Sequence, residues 1–330
     1  LWHGATLYRL RYRQAGQDLE IAEARWAWRS SALRDGELQI EALILRRVAL
    51  SLPAAPTEPA PSDGGLPLPL ELPDLQMPIP LIIERIAVEG ARIEQGGQPL
   101  LELEQAQVGL RWDAQGVILT PGEIAITRIA STPLRDLKTT FSGTLQPREG
   151  WPLQLDLAWR LQLSLGSHLG GDLHPSGRLR LRGDRHLLEL DQQLELPRPQ
   201  ATPIRLTSQG QIRLDRPQPQ IDLRSEWRGV RWPLAGEAAY QSRRGAIRIQ
   251  GGMEGASVEL TAQLSGAAIP DLTVESRARG DLTQLEALDL VLRGLGGSLT
   301  VQGAVEWRDR PRWDLRLRAD QLQPGMQWPE

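Results

Sequence analysis

The chain has 330 residues, enough for one large or two medium-sized domains. Its formal net charge is −3, from 38 basic and 41 acidic residues. It therefore has no excess positive charge to neutralise phosphates, which argues against nucleic acid as the main partner. It has no cysteine, which excludes disulfides, thiol catalysis and cysteine-based zinc sites, and no run approaches the ~18 uncharged apolar residues of a membrane-spanning helix.

The N-terminal region alternates between apolar and polar residues, but with interruptions. The segment "LEIAEARWAW" changes phase between Ile21 and Ala24, which suggests a β-bulge. The following "SSALRDGELQI" is compatible with one helical turn before the next strand. Because the sequence begins with Leu1 and is strand-like almost at once, we interpret it as a segment of a longer chain.

Residues 53–80 differ from their surroundings because they contain nine prolines. Proline cannot donate a hydrogen bond to a sheet ladder, so this segment is predicted to be a loop or an extended excursion. The alternating pattern is the same on both sides of it. We therefore predict a single segment of β-structure over residues 1–330, interrupted by this proline-rich excursion.

From residue 150 onward the alternation is strict and recurs between turn residues about every dozen positions, the rhythm of an antiparallel meander. In "LQLDLAWRLQLSL", which starts at Leu153, every second residue is apolar. The residues predicted to form the apolar side of these strands, and so to line a groove if that side is open, are Leu153, Leu155, Leu157, Trp159, Leu161, Leu163, Leu179, Leu181, Ile247, Ile249, Val258, Leu260, Leu299, Val301, Val305, Trp307, Trp313, Leu315 and Leu317.

Two structural hypotheses explain this apolar side. In a closed β-sandwich or β-solenoid it is the core, and the protein would be a module that binds proteins or glycans. In an open, curled sheet it lines a trough that contacts a guest such as an acyl chain. Alternation alone does not separate them, although the length of the strands favours the open sheet. No nucleophile, phosphate-binding or metal-ligand motif is recognisable, so we predict no catalytic site, no metal and no cofactor.

The segments "LRGLGGSLTVQGAVEWRDRPRWDLRLRADQLQPG" and "EWRGVRWPLAGEAAYQSRRGAIRIQGGM" resemble the TamB family, the AsmA-like translocation and assembly module of bacterial envelopes. The resemblance implies an all-β, elongated, curled antiparallel meander, a half-pipe (β-taco) with a hydrophobic interior. It also implies a periplasmic protein, anchored to the inner membrane by an N-terminal helix upstream of this sequence.

The same resemblance implies a function. Members of the family are linked to the assembly and secretion of outer-membrane proteins and to movement of phospholipid between the two membranes. Their implied partner is an outer-membrane protein of the Omp85 class, of the TamA type, reached through a C-terminal region that this sequence lacks. We therefore expect phospholipid as the ligand of the apolar side.

Overall fold

The structure is a computed structural model. It describes residues 3–14, 17–53, 79–130, 132–146, 150–164, 171–198, 202–216, 218–234, 238–252, 255–267, 269–281, 283–307 and 311–323. Most of the proline-rich segment lies outside these residues, so its conformation stays a prediction. The organisation of residues 1–330 as one continuous segment also stays a prediction.

The described residues are almost entirely β-structure. The first ten strands are β1 (Gly4–Gln14), β2 (Gln17–Trp28), β3 (Leu38–Leu52), β4 (Leu81–Gln95), β5 (Gln98–Asp113), β6 (Gly116–Ile129), β7 (Leu134–Leu145), β8 (Leu153–Ser164), β9 (Asp172–Leu173) and β10 (Ser176–Gly183). The remaining strands are β11 (Leu187–Leu196), β12 (Ile204–Arg213), β13 (Gln220–Trp232), β14 (Tyr240–Gly252), β15 (Gly255–Gly266), β16 (Leu272–Gly280), β17 (Gln284–Gly294), β18 (Gly297–Glu306) and β19 (Arg312–Asp320). The prediction of an all-β fold made of open, curled, antiparallel sheet is confirmed.

The chain divides into two compact units. Unit 1 comprises Leu1–Ser164 and His174–Arg185, and unit 2 comprises Leu165–Leu173 and His186–Glu330. In unit 1, β1 to β8 pair in chain order and β8 then pairs with β10. In unit 2, β11 to β19 pair in chain order, each antiparallel to the next.

One pairing departs from the predicted antiparallel meander. Strands β3 and β4 are parallel, with Leu38 opposite Leu81 and Leu52 opposite Gln95. Parallel neighbours start at the same end of the sheet, so Leu52 at the end of β3 and Leu81 at the start of β4 lie at opposite ends of this pair. At ~3.3 Å per residue the two ends are roughly 50 Å apart. This is the one parallel pair among the described strands.

A line of unusual backbone conformations crosses β1 to β4. Arg9, Ala22, Arg47 and Gly90 are aligned across these strands, and three of the four have positive φ: 57° for Arg9, 50° for Arg47 and 75° for Gly90. In each of the four strands, the apolar residues switch between odd-numbered and even-numbered positions at this line. Because of this switch, the apolar side chains stay on the same face of the sheet on both sides of the line. The phase change that the sequence showed in β2 is thus present, but the prediction that it is a β-bulge is wrong. No strand gains a residue there, because the pairing register continues unchanged on both sides. We call this line the crease.

The helical turn predicted after β2 is present as a 3-10 helix over Ser30–Asp35. It ends at Gly36, whose φ of 74° is in the left-handed region that glycine adopts without strain. No described helix is long and apolar enough to cross a membrane.

Candidate functional site

The apolar face of unit 1 is assembled by cross-strand pairing of aliphatic residues. On β8, Leu155 and Leu157 lie opposite Leu181 and Leu179 of β10, and on the other side Leu157 lies opposite Phe141 of β7. Residues directly opposite in an antiparallel pair have side chains on the same face. The same face continues to the first strand through Val117, Leu119, Ile124, Ile126, Leu101, Leu103, Val108, Leu110, Ile83, Ile86, Val88, Leu43, Leu45, Val48, Leu50, Leu19, Ile21, Ala24 and Trp26.

The apolar face of unit 2 is built in the same way across nine strands. One of its rows, followed from β11 to β19, consists of Leu194, Leu206, Trp227, Gly245, Ala262, Val274, Leu292, Leu299 and Ala319. A parallel row contains Leu223, Ile249, Val258, Ala278, Leu288 and Leu315. Both of these rows are therefore mostly aliphatic.

Burial indicates how far these faces are covered. Among the described residues no side chain is less than 2% exposed, and five of the eleven buried apolar residues are alanines, such as Ala87 at 2%. A mid-strand leucine between two packed sheets would be fully buried. Leu155, Leu157 and Leu260 are instead only half-buried. Within each unit, the described apolar face thus retains surface that another molecule can contact.

The structure places the groove residues predicted from sequence on these two faces. Those on β8 and β10 belong to unit 1, and those on β14, β15, β18 and β19 belong to unit 2. Three are more exposed than the rest: Trp307 (45%), which follows the end of β18, and Trp313 (69%) and Leu317 (65%) on β19. Their role in lining a lipid groove stays a prediction.

The sequence prediction missed the aliphatic residues of β2 to β6. The parity changes at the crease in β2 to β4, and it changes again at register shifts such as that between Ile83 and Ile86 in the β4–β5 pair. A strict period of two cannot be followed across such positions. Splitting the strands at the phase change recognised between Ile21 and Ala24 would have recovered part of this set.

Trp227 has a fixed position on the apolar face of unit 2. Its indole Nε1–H donates a hydrogen bond to Ser242 Oγ at 2.9 Å, and Ser242 is 6% exposed. The residue directly opposite Trp227 is Gly245, and a Cβ on that glycine would overlap the indole ring. The ring therefore lies across the neighbouring strand over Gly245, with its polar N–H already bonded. The surface that it presents is apolar.

The single phenylalanine of the chain has a comparable arrangement in unit 1. Phe141 lies opposite Gly122, and a Cβ on Gly122 would be 2.7 Å from Phe141 Cζ. A Cβ there would also lie 2.8 Å from the backbone oxygen of Gln107. An aromatic ring over a cross-strand glycine covers backbone that would otherwise be bare. In both units, glycine thus lets an aromatic ring approach the neighbouring strand closely.

A polar pair interrupts the apolar face of unit 2. Ser208 and Ser225 are opposite each other on β12 and β13, are 5% and 9% exposed, and share a hydrogen bond of 2.8 Å between their Oγ atoms. Because each hydroxyl has the other as partner, the pair does not leave an unsatisfied polar group in this face. Sequence alternation gave no indication of the pair.

The opposite face of both units is covered by ion pairs between neighbouring strands. Arg180 Nε lies 2.8 Å from Asp156 Oδ1 in unit 1, and Arg248 Nη2 lies 3.0 Å from Asp222 Oδ2 in unit 2. Hydrogen bonds from Gln154 and Arg180 lower the pKa of Asp156. Those from Arg248 and Gln250 lower the pKa of Asp222. We call this side the polar face, and its charged groups are those expected of a surface in contact with water.

The described residues contain no group of three or more histidine or carboxylate side chains arranged to hold a metal ion. The predicted absence of a metal or cofactor is a statement about the sequence and stays a prediction. Within the described part of the chain, the two apolar faces are the broadest surfaces on which another molecule could be held.

In the comparison with known families, one family model matches the chain in two overlapping segments that together cover it. The family model described as the N-terminal domain of TamB matches residues 1–140 and, in a second overlapping match, residues 129–330. No solved structure matches the chain.

Proposed function

The chain belongs to the TamB family of periplasmic envelope proteins, and from that premise we propose that the apolar face of each unit binds the acyl chains of phospholipids. In this proposal the protein carries phospholipid between the inner and outer membranes and is linked to the assembly and secretion of outer-membrane proteins. The activity is not enzymatic, because it requires only reversible contact between apolar surfaces.

The observation that carries the proposal is the apolar face of unit 2. It extends across nine hydrogen-bonded strands, its leucine, isoleucine and valine residues are mostly half-buried, and its tryptophan Trp227 has its only polar group bonded internally. A closed sandwich would bury such residues completely. The burial therefore supports a face that holds a guest over one that forms a core.

Acyl chains suit such a face energetically. Each CH₂ group of a lipid tail removed from water contributes about 0.8 kcal/mol. Apolar contact is non-directional, so a tail can shift along a row of aliphatic side chains without breaking specific bonds. The charged headgroup would stay in water, because transferring it to the apolar face has a high desolvation cost.

The wider arrangement follows the family resemblance. We propose that an N-terminal helix outside this sequence anchors the protein in the inner membrane. We further propose that a C-terminal region outside this sequence reaches an outer-membrane partner of the Omp85 class, of the TamA type. The segment described by this sequence would then be the periplasmic part that contacts lipid.

Site-specific photocrosslinking tests the proposal. A photoreactive amino acid would replace Leu157 in unit 1 or Leu260 in unit 2, both on the apolar faces, in the full-length protein in cells. We expect covalent phospholipid adducts at both positions, detected by mass spectrometry of the purified protein. The matched controls are Asp156 and Glu259, each one residue earlier and on the polar face.

Two outcomes contradict the proposal. Equal amounts of adduct at apolar and polar positions would mean that lipid contact is non-specific. Adducts with protein but none with lipid at Leu157 and Leu260 would favour the alternative, a module whose apolar face binds polypeptide.

A further inference from the structure

Charges on the polar face of unit 2 mostly alternate in sign from strand to strand. One row, read from β14 to β17, consists of Arg248, Glu259, Arg277 and Asp289. Opposite charges directly across an antiparallel pair stabilise it, and like charges destabilise it. The alternation therefore fits a surface whose charges neutralise one another.

Like charges also lie opposite each other on this face. Arg224 lies opposite Arg248, but each has a carboxylate partner, Glu226 at 2.8 Å and Asp222 at 3.0 Å.

A second row has three like charges in succession. Arg205 lies opposite Arg228, and Arg228 lies opposite Arg244, so three arginines occupy neighbouring positions on β12, β13 and β14. At about 4.8 Å between strands, the three residues span roughly 10 Å. We call this set the arginine row. The positive charges of its three members repel one another, and the hydrogen bonds of the sheet do not offset this repulsion. Negative charge from carboxylates or from a bound anion would offset it.

The nearby carboxylates do not offset it completely. Glu195 is 2.9 Å from Arg205, and Glu226 is 2.8 Å from Arg224, an arginine outside the row. In the described part of the chain, no carboxylate lies within ion-pair distance of the guanidinium of Arg228 or Arg244. Two of the three arginines therefore have donors available for an anion.

The arginine row borders a depression of about 600 Å³. Nine of the twelve residues that line it belong to the polar face, so it opens on the side opposite to the apolar face. Besides the three arginines, Thr207, Thr261 and Thr273 contribute hydroxyl groups to its wall. Glu226 also lines it, with its carboxylate paired to Arg224. The depression thus combines three arginines with neutral hydrogen-bonding groups and one carboxylate that already has a cationic partner.

We propose that the arginine row and this depression form a binding site for a phosphoester anion that carries a hydroxylated group. Guanidinium groups bind phosphate oxygens through paired N–H donors, and several can share one phosphate. The volume exceeds what phosphate alone needs, and the threonine hydroxyls suit the hydroxyl groups of glycerol or a sugar. The ligand is either a soluble phosphoester or the headgroup of a phospholipid in a membrane.

Calorimetric titration of the full chain tests the site with two probes. The soluble probe is sn-glycerol 3-phosphate, and the membrane probe is a vesicle of equimolar phosphatidylcholine and phosphatidylglycerol. We expect Arg228→Gln and Arg244→Gln each to weaken binding by about tenfold, because each removes a charge-assisted hydrogen bond. We also expect binding of the unaltered chain to weaken as salt is added.

The matched control is Arg248→Gln, on β14 and on the same face. It removes the same charge, but from an arginine already paired with Asp222. If Arg228→Gln and Arg244→Gln weaken binding of the soluble probe and Arg248→Gln does not, the result supports the site and a soluble ligand. The same dependence with vesicles alone supports the site and a lipid headgroup.

Equal loss of binding in all three variants would overturn the proposal. Binding would then depend on the net charge of the protein and not on the arginine row. Absence of binding to either probe would also overturn it. A readout without ligand checks folding: Arg228→Gln is expected to keep or raise the unfolding midpoint, because it relieves repulsion between like charges. Acyl chains would bind to the opposite face, so this test is independent of the proposed lipid function.

Discussion

Unit 1 and unit 2 present the same kind of apolar face but shape their sheets differently. In unit 1, strands β3 to β6 are 14 to 16 residues long. The crease crosses β1 to β4, and register shifts affect the β4–β5 and β5–β6 pairs. In unit 2, strands β11 to β19 are 9 to 13 residues long, and register shifts affect single strand pairs. Irregular backbone is thus aligned across neighbouring strands in unit 1, including the shorter β1 and β2, whereas in unit 2 it is confined to single strand pairs.

The difference has a physical basis. A positive φ bends a strand, and when the bends of neighbouring strands are aligned, the sheet bends without losing its hydrogen bonds. Of the three crease residues with positive φ, Arg9 and Arg47 are not glycine, and a left-handed conformation costs such a residue about 1–2 kcal/mol. The strands of unit 2 have no such aligned line of positive φ and can follow the ordinary twist of a sheet without that cost. Curvature in unit 1 is therefore obtained at the expense of local stability.

The largest effect that we predict concerns phospholipid transfer, the function proposed for the apolar faces of both units. Leu157→Arg in unit 1 and Leu260→Arg in unit 2 each place a charge on an apolar face. A charge in contact with acyl chains costs about 2.5–3.5 kcal/mol, so we expect phospholipid transfer to fall more than tenfold. The measurement is transfer of a fluorescent phospholipid between donor and acceptor vesicles by the full-length protein.

The controls add arginine to the polar face. Gln162→Arg in unit 1 and Gln302→Arg in unit 2 lie opposite Asp136 and Asp289 and should leave transfer unchanged. Circular dichroism should show intact β-structure in all four variants, because the altered leucine positions are only half-buried. If one leucine variant transfers as well as its control, the corresponding unit does not carry lipid.

The next effect compares the two glycine-supported aromatic rings. Gly245→Ala in unit 2 and Gly122→Ala in unit 1 should each lower the free energy of unfolding by about 1–3 kcal/mol, because the added Cβ overpacks the contact. The two should respond differently to removal of the ring. Trp227→Leu should relieve most of the cost at Gly245, where the nearest atoms all belong to Trp227.

Phe141→Leu should relieve little of the cost at Gly122, where a backbone oxygen also obstructs the Cβ. Urea unfolding of the single and double variants, analysed as a double-mutant cycle, measures both couplings. Equal coupling energies at the two sites would show that the ring alone limits both positions.

A smaller effect tests the crease against the regular sheet of unit 2. Gly90 has a φ of 75° and Gly255 has no positive φ, and a Cβ on either glycine would meet nothing within 4 Å. Gly90→Ala should therefore destabilise by about 1–2 kcal/mol through backbone strain alone. Gly255→Ala should be neutral or slightly stabilising. Similar urea midpoints for the two variants would mean that the crease relaxes without cost.

The sequence predicted the fold wherever strands follow a period of two. In β8, β14 and β18 the predicted apolar side matches the face that the register assembles. The period fails in β2 to β6, because positive φ values and register shifts change its phase. The parallel pair β3–β4 was not predicted either, since pairing direction depends on where the chain returns after residue 53.

The details that distinguish the surfaces depend on register between strands distant in sequence. No local pattern places Trp227 over Gly245 or Ser208 beside Ser225, because each contact joins two strands. The arginine row is equally invisible in sequence, where its three members are separated by at least fifteen positions. Alternation specifies which face a residue occupies, whereas the register specifies its neighbours.

The smallest effect that we predict concerns an ion pair at the beginning of unit 1. Asp18 accepts hydrogen bonds from Arg11 at 2.6 Å and Arg13 at 3.0 Å. These bonds, chiefly that from Arg11, lower the pKa of Asp18 from its usual 3.8 to about 2. A carboxyl whose pKa is lowered by folding stabilises the protein above its unfolded-state pKa, and the contribution is lost as the pH falls through the folded-state value.

Asp18→Asn should therefore lower stability slightly at neutral pH, and the difference from the unaltered chain should shrink between pH 3.8 and about 2. Because the pair is exposed, added salt should reduce the difference further. Urea midpoints measured across this pH range, at low and high salt, provide the comparison. A difference that persists unchanged at pH 2 would mean that the shape of the side chain, and not its charge, joins β1 to β2.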